Sequence, residues 1–202
     1  MENDIKWSID LSHSEIEFKI RHLMISNIKG HFTNFDASIY THGKDFTTAD
    51  IDLWIDVDSI STGDHKRDVH LKSADFFDIE NHKQITFTSH SIEPSDKLGH
   101  HELWGYLTMK GITKHIQLDV EFGGIMKDLT GQEKSGFIIT GKINRNDWDL
   151  NWNKEIEFGG LMIGEEINIT CEVELINHGI KDLIMILNST SSHDGLDKKT
   201  TN

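Results

Sequence analysis

Apolar and polar residues alternate along most of the chain, and this alternation constrains the fold more than any other feature. In one segment Ile16, Phe18 and Ile20 alternate with acidic and basic residues, and the same period of two recurs between about residues 5 and 175. Because successive side chains of a β-strand point to opposite faces, the pattern predicts strands with one apolar and one polar face. About nine such strands are separated by turns that contain glycine, aspartate or asparagine. Antiparallel strands of this kind form either a sandwich or a closed barrel.

Two segments depart from the alternation. Within residues 30–40 the phase slips between Phe32 and Phe35, which predicts a β-bulge. Residues 63–77 lack the period of two, and Asp64 stands where it favours the start of a helix, so we predict one short helix after an early strand. The residues expected on the buried face of this helix are Val69, Leu71 and Ala74.

The period of two ends near residue 176, which predicts a barrel domain over residues 1–176 and a C-terminal tail over residues 177–202. Residues 188–202 are small and polar, and we expect them to be disordered. The first residues are acidic and do not resemble a secretory signal, so we expect a cytoplasmic protein, or a periplasmic one if a leader has been removed. The apolar run at residues 183–187 is too short to cross a bilayer, so no stable membrane anchoring is expected.

The charge of the chain narrows the range of partners. Lys and Arg sum to 20 and Asp and Glu to 34, which gives a net charge of −14. Nucleic acids and anionic membrane surfaces attract Lys/Arg-rich proteins, so neither is an expected partner. The acidic residues fall mostly on the polar phase of the strands, and we therefore assign them to the solvated outer wall.

The sequence offers few candidates for catalysis or metal binding. None of the 13 histidines occurs in a His-Glu-x-x-His motif, and His100 and His101 are adjacent, so in a strand they point to opposite faces. His13 and His22 flank the second strand and are expected at a barrel mouth. The single cysteine, Cys171, excludes an intramolecular disulfide and a Cys-based zinc site. We predict no catalytic residue, no metal and no required cofactor, although histidines from three separate strands can still converge on a metal.

The apolar phase itself leaves two interpretations open. Two packed sheets, or a filled barrel, use the apolar face as an ordinary core. A closed barrel of about eight strands can instead enclose one small ligand. A hollow interior with this lining favours an elongated apolar molecule, since each buried methylene contributes about 0.8 kcal/mol.

A series of motifs in a fixed order carries a family resemblance. These motifs are Trp7-x-Ile9-Asp10-x-x-His13-Ser14-x-Ile16-x-Phe18, Gly30-x-Phe32-x-x-Phe35, Asp64-x-x-Arg67-Asp68-x-His70-Leu71-Lys72-Ser73-Ala74-Asp75-Phe76-Phe77-Asp78, Gly105-x-Leu107-Thr108-x-x-Gly111-Ile112-Thr113-Lys114, and Gly141-x-Ile143-Asn144-Arg145-x-Asp147-Trp148-x-Leu150-x-Trp152-Asn153. In them the chain resembles the YceI-like family. The resemblance implies an all-β fold, an extended, lipocalin-like, antiparallel eight-stranded β-barrel.

The resemblance also implies a function and a set of partners. Its hydrophobic tunnel is expected to bind, store or transport an amphiphilic isoprenoid-type molecule, either a long-chain isoprenoid lipid or an isoprenoid quinone. No enzymatic activity is implied, and a homodimer is a further expectation. Two alternatives remain, namely an enzyme that acts on a lipid-like substrate inside the barrel, and a ligand-free, stress-related interaction protein with a filled core.

The candidate ligand-binding residues follow from the alternation and the motifs. Phe76, Phe77 and Trp148 are expected to close the ends of the tunnel, since aromatic rings cap apolar cavities well. Arg67, His70 and Arg145 lie between strands, where they either contact a polar head group such as a diphosphate or tie loops by salt bridges. The strand residues expected to line the tunnel are Ile16, Phe18, Ile20, Leu53, Ile55, Phe87, Leu107, Leu118, Val120, Phe137, Ile139, Ile167 and Ile169.

Overall fold

The alternating segments form strands that close on themselves. The structure, a computed structural model, describes residues 4–156 and 160–178. Its elements are β1 (Asp4–Ile9), β2 (Glu15–His22), β3 (Ser26–Phe32), β4 (Phe35–His42), β5 (Asp45–Asp56), a 3-10 helix (Val57–Ser59), β6 (Ile60–Ser61), α1 (His65–Lys72), β7 (Gln84–Pro94), β8 (His100–Met109), β9 (Ile112–Lys127), β10 (Glu133–Asn144), a second 3-10 helix (Arg145–Trp148), β11 (Glu155–Ile156), β12 (Gly160–Leu161) and β13 (Ile163–His178).

The strands form a closed antiparallel barrel with eight positions. Their order is β1-β4-β5-β7-β8-β9-β10-β13, and β13 returns to pair with β1. The strands β1 and β2 share one position in the barrel, next to β13. The strand β13 pairs with β1 through Leu175–His178 and with β2 through Ile163–Glu172. The strand β2 in turn pairs with β3, which continues into β4, and β3 pairs with the short β6. The predicted eight-stranded barrel is therefore confirmed, and the sandwich is not formed.

The phase slip between Phe32 and Phe35 is a break between two strands, and the predicted bulge is wrong. The strand β3 ends at Phe32 and β4 begins at Phe35, and both rings are buried. Between them the Thr33 amide donates to the Ser59 carbonyl, and the Asn34 carbonyl accepts from the Asp56 amide at the end of β5. The chain changes direction here, so that β3 pairs with β2 and β4 pairs with β1.

The helix α1 starts as predicted, since the Asp64 carboxylate accepts a hydrogen bond from the Lys66 amide at 2.9 Å. Its buried face is predicted only in part. Leu71 packs towards the core, whereas Val69 is 55% exposed and Ala74 is also exposed. The helix spans about two turns and caps one end of the barrel, so few of its positions face inward.

The last strand extends beyond the predicted end of its alternation at residue 176. His178 pairs with Lys6, and its Nε2 atom lies 2.6 Å from the Ser8 hydroxyl. The predicted disordered tail lies outside the described residues. Among the helices within residues 4–156 and 160–178, none is long and apolar enough to cross a membrane.

Candidate functional site

An elongated cavity of about 650 Å³ runs through the barrel. One end, here called the hairpin end, lies at the β4–β5 turn and is lined by Lys44, Asp45 and Phe46. The other, the helix end, lies at α1 and is lined by Arg67 and Trp152. Between them the wall consists mainly of the inward phase of the strands. The residues expected from the sequence that line the cavity are Ile16, Phe18, Ile20, Leu53, Ile55, Phe76, Phe77, Phe87, Leu107, Leu118, Val120, Phe137, Ile139, Ile167 and Ile169.

Trp148 does not line the cavity, and the expectation that it closes one end is wrong. The second 3-10 helix turns its indole into the core, where it is 1% exposed. Its N–H donates to the Leu107 carbonyl at 3.2 Å, which satisfies the one polar atom of a buried indole. Trp148 therefore belongs to the buried core next to the cavity without lining it.

Two glycines keep the cavity open by letting aromatic rings lie close to the wall. A Cβ atom at Gly30 would lie 2.3 Å from the ring of Phe18, and one at Gly105 would lie 2.2 Å from the ring of Phe87. Only glycine allows this approach, because any side chain would displace the ring. The two rings consequently cover backbone, and their bulk is kept out of the middle of the cavity.

At the helix end three aromatic side chains pack together. The ring of His70 lies 5.1 Å from that of Phe76 and 4.7 Å from that of Trp152, both edge to face. The His70 Nε2 atom is 2.8 Å from the Asp75 carboxylate, which orients the imidazole. Trp152 was missing from the expected lining, although the apolar pair Leu150 and Trp152 within a family motif could have indicated it.

Arg67 brings a charge to the helix end. Its Nε donates to the Thr62 hydroxyl at 2.8 Å, and that hydroxyl donates to the Asp68 carboxylate at 2.6 Å. Within the described part of the chain, no carboxylate oxygen lies within 4.0 Å of the Arg67 guanidinium. Its terminal nitrogens are thus held beside the cavity without an acidic partner among those residues.

Arg145 has a different role, because backbone carbonyls surround it. The side chain is 2% exposed and donates to the carbonyls of Gly164 at 2.9 Å, Trp152 at 3.0 Å, and Leu150. Burial lowers the pKa of the guanidinium, and the charge of Glu165 partly offsets that effect. Arg145 thus ties residues 150–152 to Gly164. This agrees with the alternative in which the arginine ties loops together, but the contacts are hydrogen bonds to carbonyls and not salt bridges.

The hairpin end carries a group of aromatic residues, of which the sequence interpretation had predicted only Phe137 as part of the lining. The ring of Phe46 lies 4.8 Å from Trp7, 4.8 Å from Phe137 and 5.6 Å from Phe122. The strand β5 begins at Asp45, so Phe46 is its second residue. The aromatic character of Phe46 next to the turn is the signal that could have identified it.

The two histidines expected at a barrel mouth have different environments. His22 lines the cavity at the helix end. His13 is exposed and forms a group with Asp10 and Glu174 whose ligand atoms lie within 4.8 Å of one another. The ammonium of Lys134 lies 2.8 Å from Asp10 and 2.6 Å from Glu174, and it lowers the pKa of the Asp10 carboxyl more than any other neighbour does. This group is an ion-pair cluster in which one lysine ammonium bridges the two carboxylates.

A closed antiparallel barrel around an elongated apolar cavity defines a lipocalin-like architecture. Comparison with known proteins identifies the family, because the YceI-like domain model matches residues 7–175. The chain belongs to the YceI-like domain family, and the resemblance seen in its motifs is confirmed.

Three similar proteins illustrate how far this likeness extends. A UPF0312 protein of Staphylococcus aureus (strain MSSA476) is 38% identical over 169 residues, which cover 83% of this chain and 95% of that protein. The crystal structure of the Campylobacter jejuni YCEI protein is 34% identical, with a TM-score of 0.67 over 80% of this chain and 91% of that one. A polyisoprenoid binding domain from Saccharophagus degradans is 16% identical, with a TM-score of 0.58 over 84% of this chain and 97% of that one, a likeness of fold alone.

Proposed function

We propose that the protein binds one long isoprenoid lipid or isoprenoid quinone in the barrel cavity and stores or transports it without converting it. The observation that carries this proposal is the continuous apolar wall, which extends from Phe46 at the hairpin end to Phe76 at the helix end. The polyisoprenoid-binding domain of Saccharophagus degradans shares the fold and supports the same ligand class.

The dimensions of the cavity favour a single extended chain. The strand β13 lines it from Ile163 to Leu175, and this span at about 3.3 Å per residue and a tilt of about 40° corresponds to roughly 30 Å. Dividing 650 Å³ by that length gives a cross-section of roughly 20 Å², about 5 Å across, similar to the spacing between neighbouring strands. An elongated space of this kind suits a single extended hydrocarbon chain.

The energetics favour a long chain over a short one. Ten buried methylenes contribute about 8 kcal/mol before the cost of association, which is about 4–15 kcal/mol. Short chains therefore bind weakly in a cavity of this kind, and longer chains bind progressively better until the cavity is full. Several isoprene units meet this requirement.

The position of Arg67 supports a polar ligand end at the helix end. Arg67 presents guanidinium nitrogens beside the cavity, and a phosphate or diphosphate would accept hydrogen bonds from them. The Nε and Nη1 donors of Arg145 are engaged by three carbonyls, so we assign this residue mainly to holding the rim in shape.

Binding without conversion is supported by the chemistry of the wall. Cys171 lies among apolar residues of the cavity, and burial raises the pKa of its thiol to about 12. At neutral pH that thiol is protonated and a poor nucleophile.

The test is to identify and displace a bound lipid. Protein purified in mild conditions is measured by native mass spectrometry, and its extracted lipids are identified. Delipidated protein is then loaded with a hydrophobic fluorescent dye and titrated with a polyprenol, a polyprenyl phosphate and a long-chain isoprenoid quinone. We expect a single lipid adduct and displacement of the dye. Unliganded protein in every preparation, together with no displacement by any of the three probes, would refute the proposal.

A further inference from the structure

Phe46 stands at the hairpin end of the cavity because β5 is irregular there. The register between β4 and β5 shifts at this point, so that Phe46 and Ala49, three residues apart, both line the cavity. A regular strand would turn one of them outward. The ring of Phe46 contacts three further aromatic rings, those of Trp7, Phe122 and Phe137.

Hydrogen bonds hold this irregular segment in place. The Asp45 carboxylate accepts from the backbone amide of Thr47 at 2.9 Å and from its hydroxyl at 2.6 Å. The Thr48 hydroxyl accepts from the His42 amide at 2.9 Å and donates to the Asp45 carbonyl at 2.6 Å. The segment that carries Phe46 is thus fixed on both sides of the ring.

The ring of Trp7 provides a rigid support behind Phe46. Trp7 is 0% exposed, and its indole N–H donates to the Thr41 hydroxyl at 2.9 Å. That hydroxyl donates in turn to the Gly43 carbonyl at 2.7 Å, within the β4–β5 turn. A rigid support of this kind makes Phe46 a fixed end of the apolar space.

Beyond Phe46 the barrel wall is not sealed by strand pairing. The ladder between β5 and β7 reaches only the pair Asp52 and Thr88. Past that pair the Ser89 hydroxyl bridges the gap, accepting from the Ile51 amide at 2.9 Å. Removal of the Phe46 ring would therefore give a ligand chain further space in this direction.

We propose that Phe46 sets the longest isoprenoid chain that the cavity holds in full, with the polar head at Arg67 and the tail ending against the Phe46 ring. This inference rests on the proposed function and makes it more specific, since it gives the ligand a direction and an upper length. Chains longer than the limit must fold back or leave part of the tail in water.

The test compares chain-length dependence in wild-type protein and in Phe46→Ala. Polyprenols of increasing length compete with the fluorescent dye on delipidated protein. Wild-type affinity should rise by up to about fourfold for each added buried methylene and then reach a plateau. In Phe46→Ala the plateau should move to longer chains, with affinity for those chains raised about tenfold and affinity for shorter chains changed less than about twofold.

Two further variants make the outcome decisive. Phe46→Leu keeps an apolar side chain of smaller reach and should shift the plateau in the same direction by less, which covers the case in which Phe46→Ala does not fold. Phe76→Ala removes a ring at the opposite end and should leave the plateau length unchanged. An identical plateau in wild type and in the folded Phe46 variants overturns the inference, as does a shift caused by Phe76→Ala alone.

The direction of the ligand is tested separately by fluorescence quenching. A polyprenol with a nitroxide at its tail should quench Trp7 and remain an efficient quencher in Trp152→Phe. A nitroxide at the head should quench the wild type more strongly than it quenches Trp152→Phe, since Trp152 lines the cavity at that end. The reverse pattern overturns the proposed direction.

If no polyprenol displaces the dye from wild-type protein, the proposed function fails as well, whereas binding with an unshifted plateau overturns only the role of Phe46.

Discussion

The most direct test of a hollow barrel is a pair of identical substitutions at neighbouring positions of β10. Ile139 lines the cavity midway along the barrel, where it pairs with Val120 and Cys171. Ile138 is its outward neighbour and is 43% exposed. Ile139→Trp places an indole in a bore about 5 Å across, and Ile138→Trp places the same group in solvent.

The expected magnitude follows from how much chain the indole would displace. A block at mid-cavity excludes at least about five methylenes, or about 4 kcal/mol at 0.8 kcal/mol each. Since 1.4 kcal/mol corresponds to a factor of ten, we expect Ile139→Trp to weaken isoprenoid binding by at least about a hundredfold. We expect Ile138→Trp to bind within about twofold of wild type, because its side chain lies on the other face of the strand.

Dye displacement measures the affinities, and thermal unfolding separates a hollow interior from a filled one. An indole that enters empty space should leave the melting temperature of delipidated protein nearly unchanged. In a filled core the same change overpacks the interior and costs about 1–3 kcal/mol. Equal affinities in the two variants would refute the cavity as the binding site, and a large loss of stability confined to Ile139→Trp would refute the hollow interior.

Three further predictions concern individual contacts. Gly105→Ala should destabilise the protein by about 1–3 kcal/mol in denaturant titrations, because the new methyl group meets a phenyl ring, whereas Gly136→Ala has nothing within 4 Å and should be nearly neutral. The Lys134 ammonium holds the pKa of Asp10 below its ordinary value of 3.8, so the contribution of this ion pair to stability is present above about pH 4 and is lost as the pH falls below that value. Lys134→Met should therefore reduce the loss of melting temperature in acid. An unchanged dependence of the melting temperature on acid pH would contradict the pairing. Arg67→Gln should weaken the binding of a polyprenyl phosphate by about tenfold or more, with little change in the affinity for a polyprenol or in the melting temperature. Equal losses of affinity for both ligands would argue against a head-group contact.

The period of two was enough to predict most of the wall. In β2 the residues Ile16, Phe18 and Ile20 face inward because closure of the barrel turns the whole apolar phase of a regular strand to the inside. The same argument holds for Ile167 and Ile169 in β13. Regular strands therefore allow prediction of the site residue by residue, without knowledge of how the strands are ordered.

The prediction fails where the backbone leaves the regular strand. Phe46 was missed because it lies three residues before Ala49, and in a regular strand this odd spacing would put the two side chains on opposite faces. The register shift between β4 and β5 places both of them inside. Trp148 was assigned to the cavity, but a 3-10 helix packs its indole into the core beside the cavity, where it donates to the Leu107 carbonyl. Bulges and short helical turns depend on tertiary hydrogen bonds, which a periodic pattern does not contain.

The cavity volume also bears on the stability of the fold. At about 24 cal/mol per Å³, an apolar ligand that filled 650 Å³ would add packing worth roughly 16 kcal/mol before the cost of association is subtracted. The rings of Phe18 and Phe87 leave room for such a ligand, because Gly30 and Gly105 let both rings lie against the wall. A long apolar ligand would make these contacts along the full length of the bore. If the protein binds an isoprenoid chain as proposed, that chain would complete the hydrophobic core, and binding would raise the free energy of unfolding.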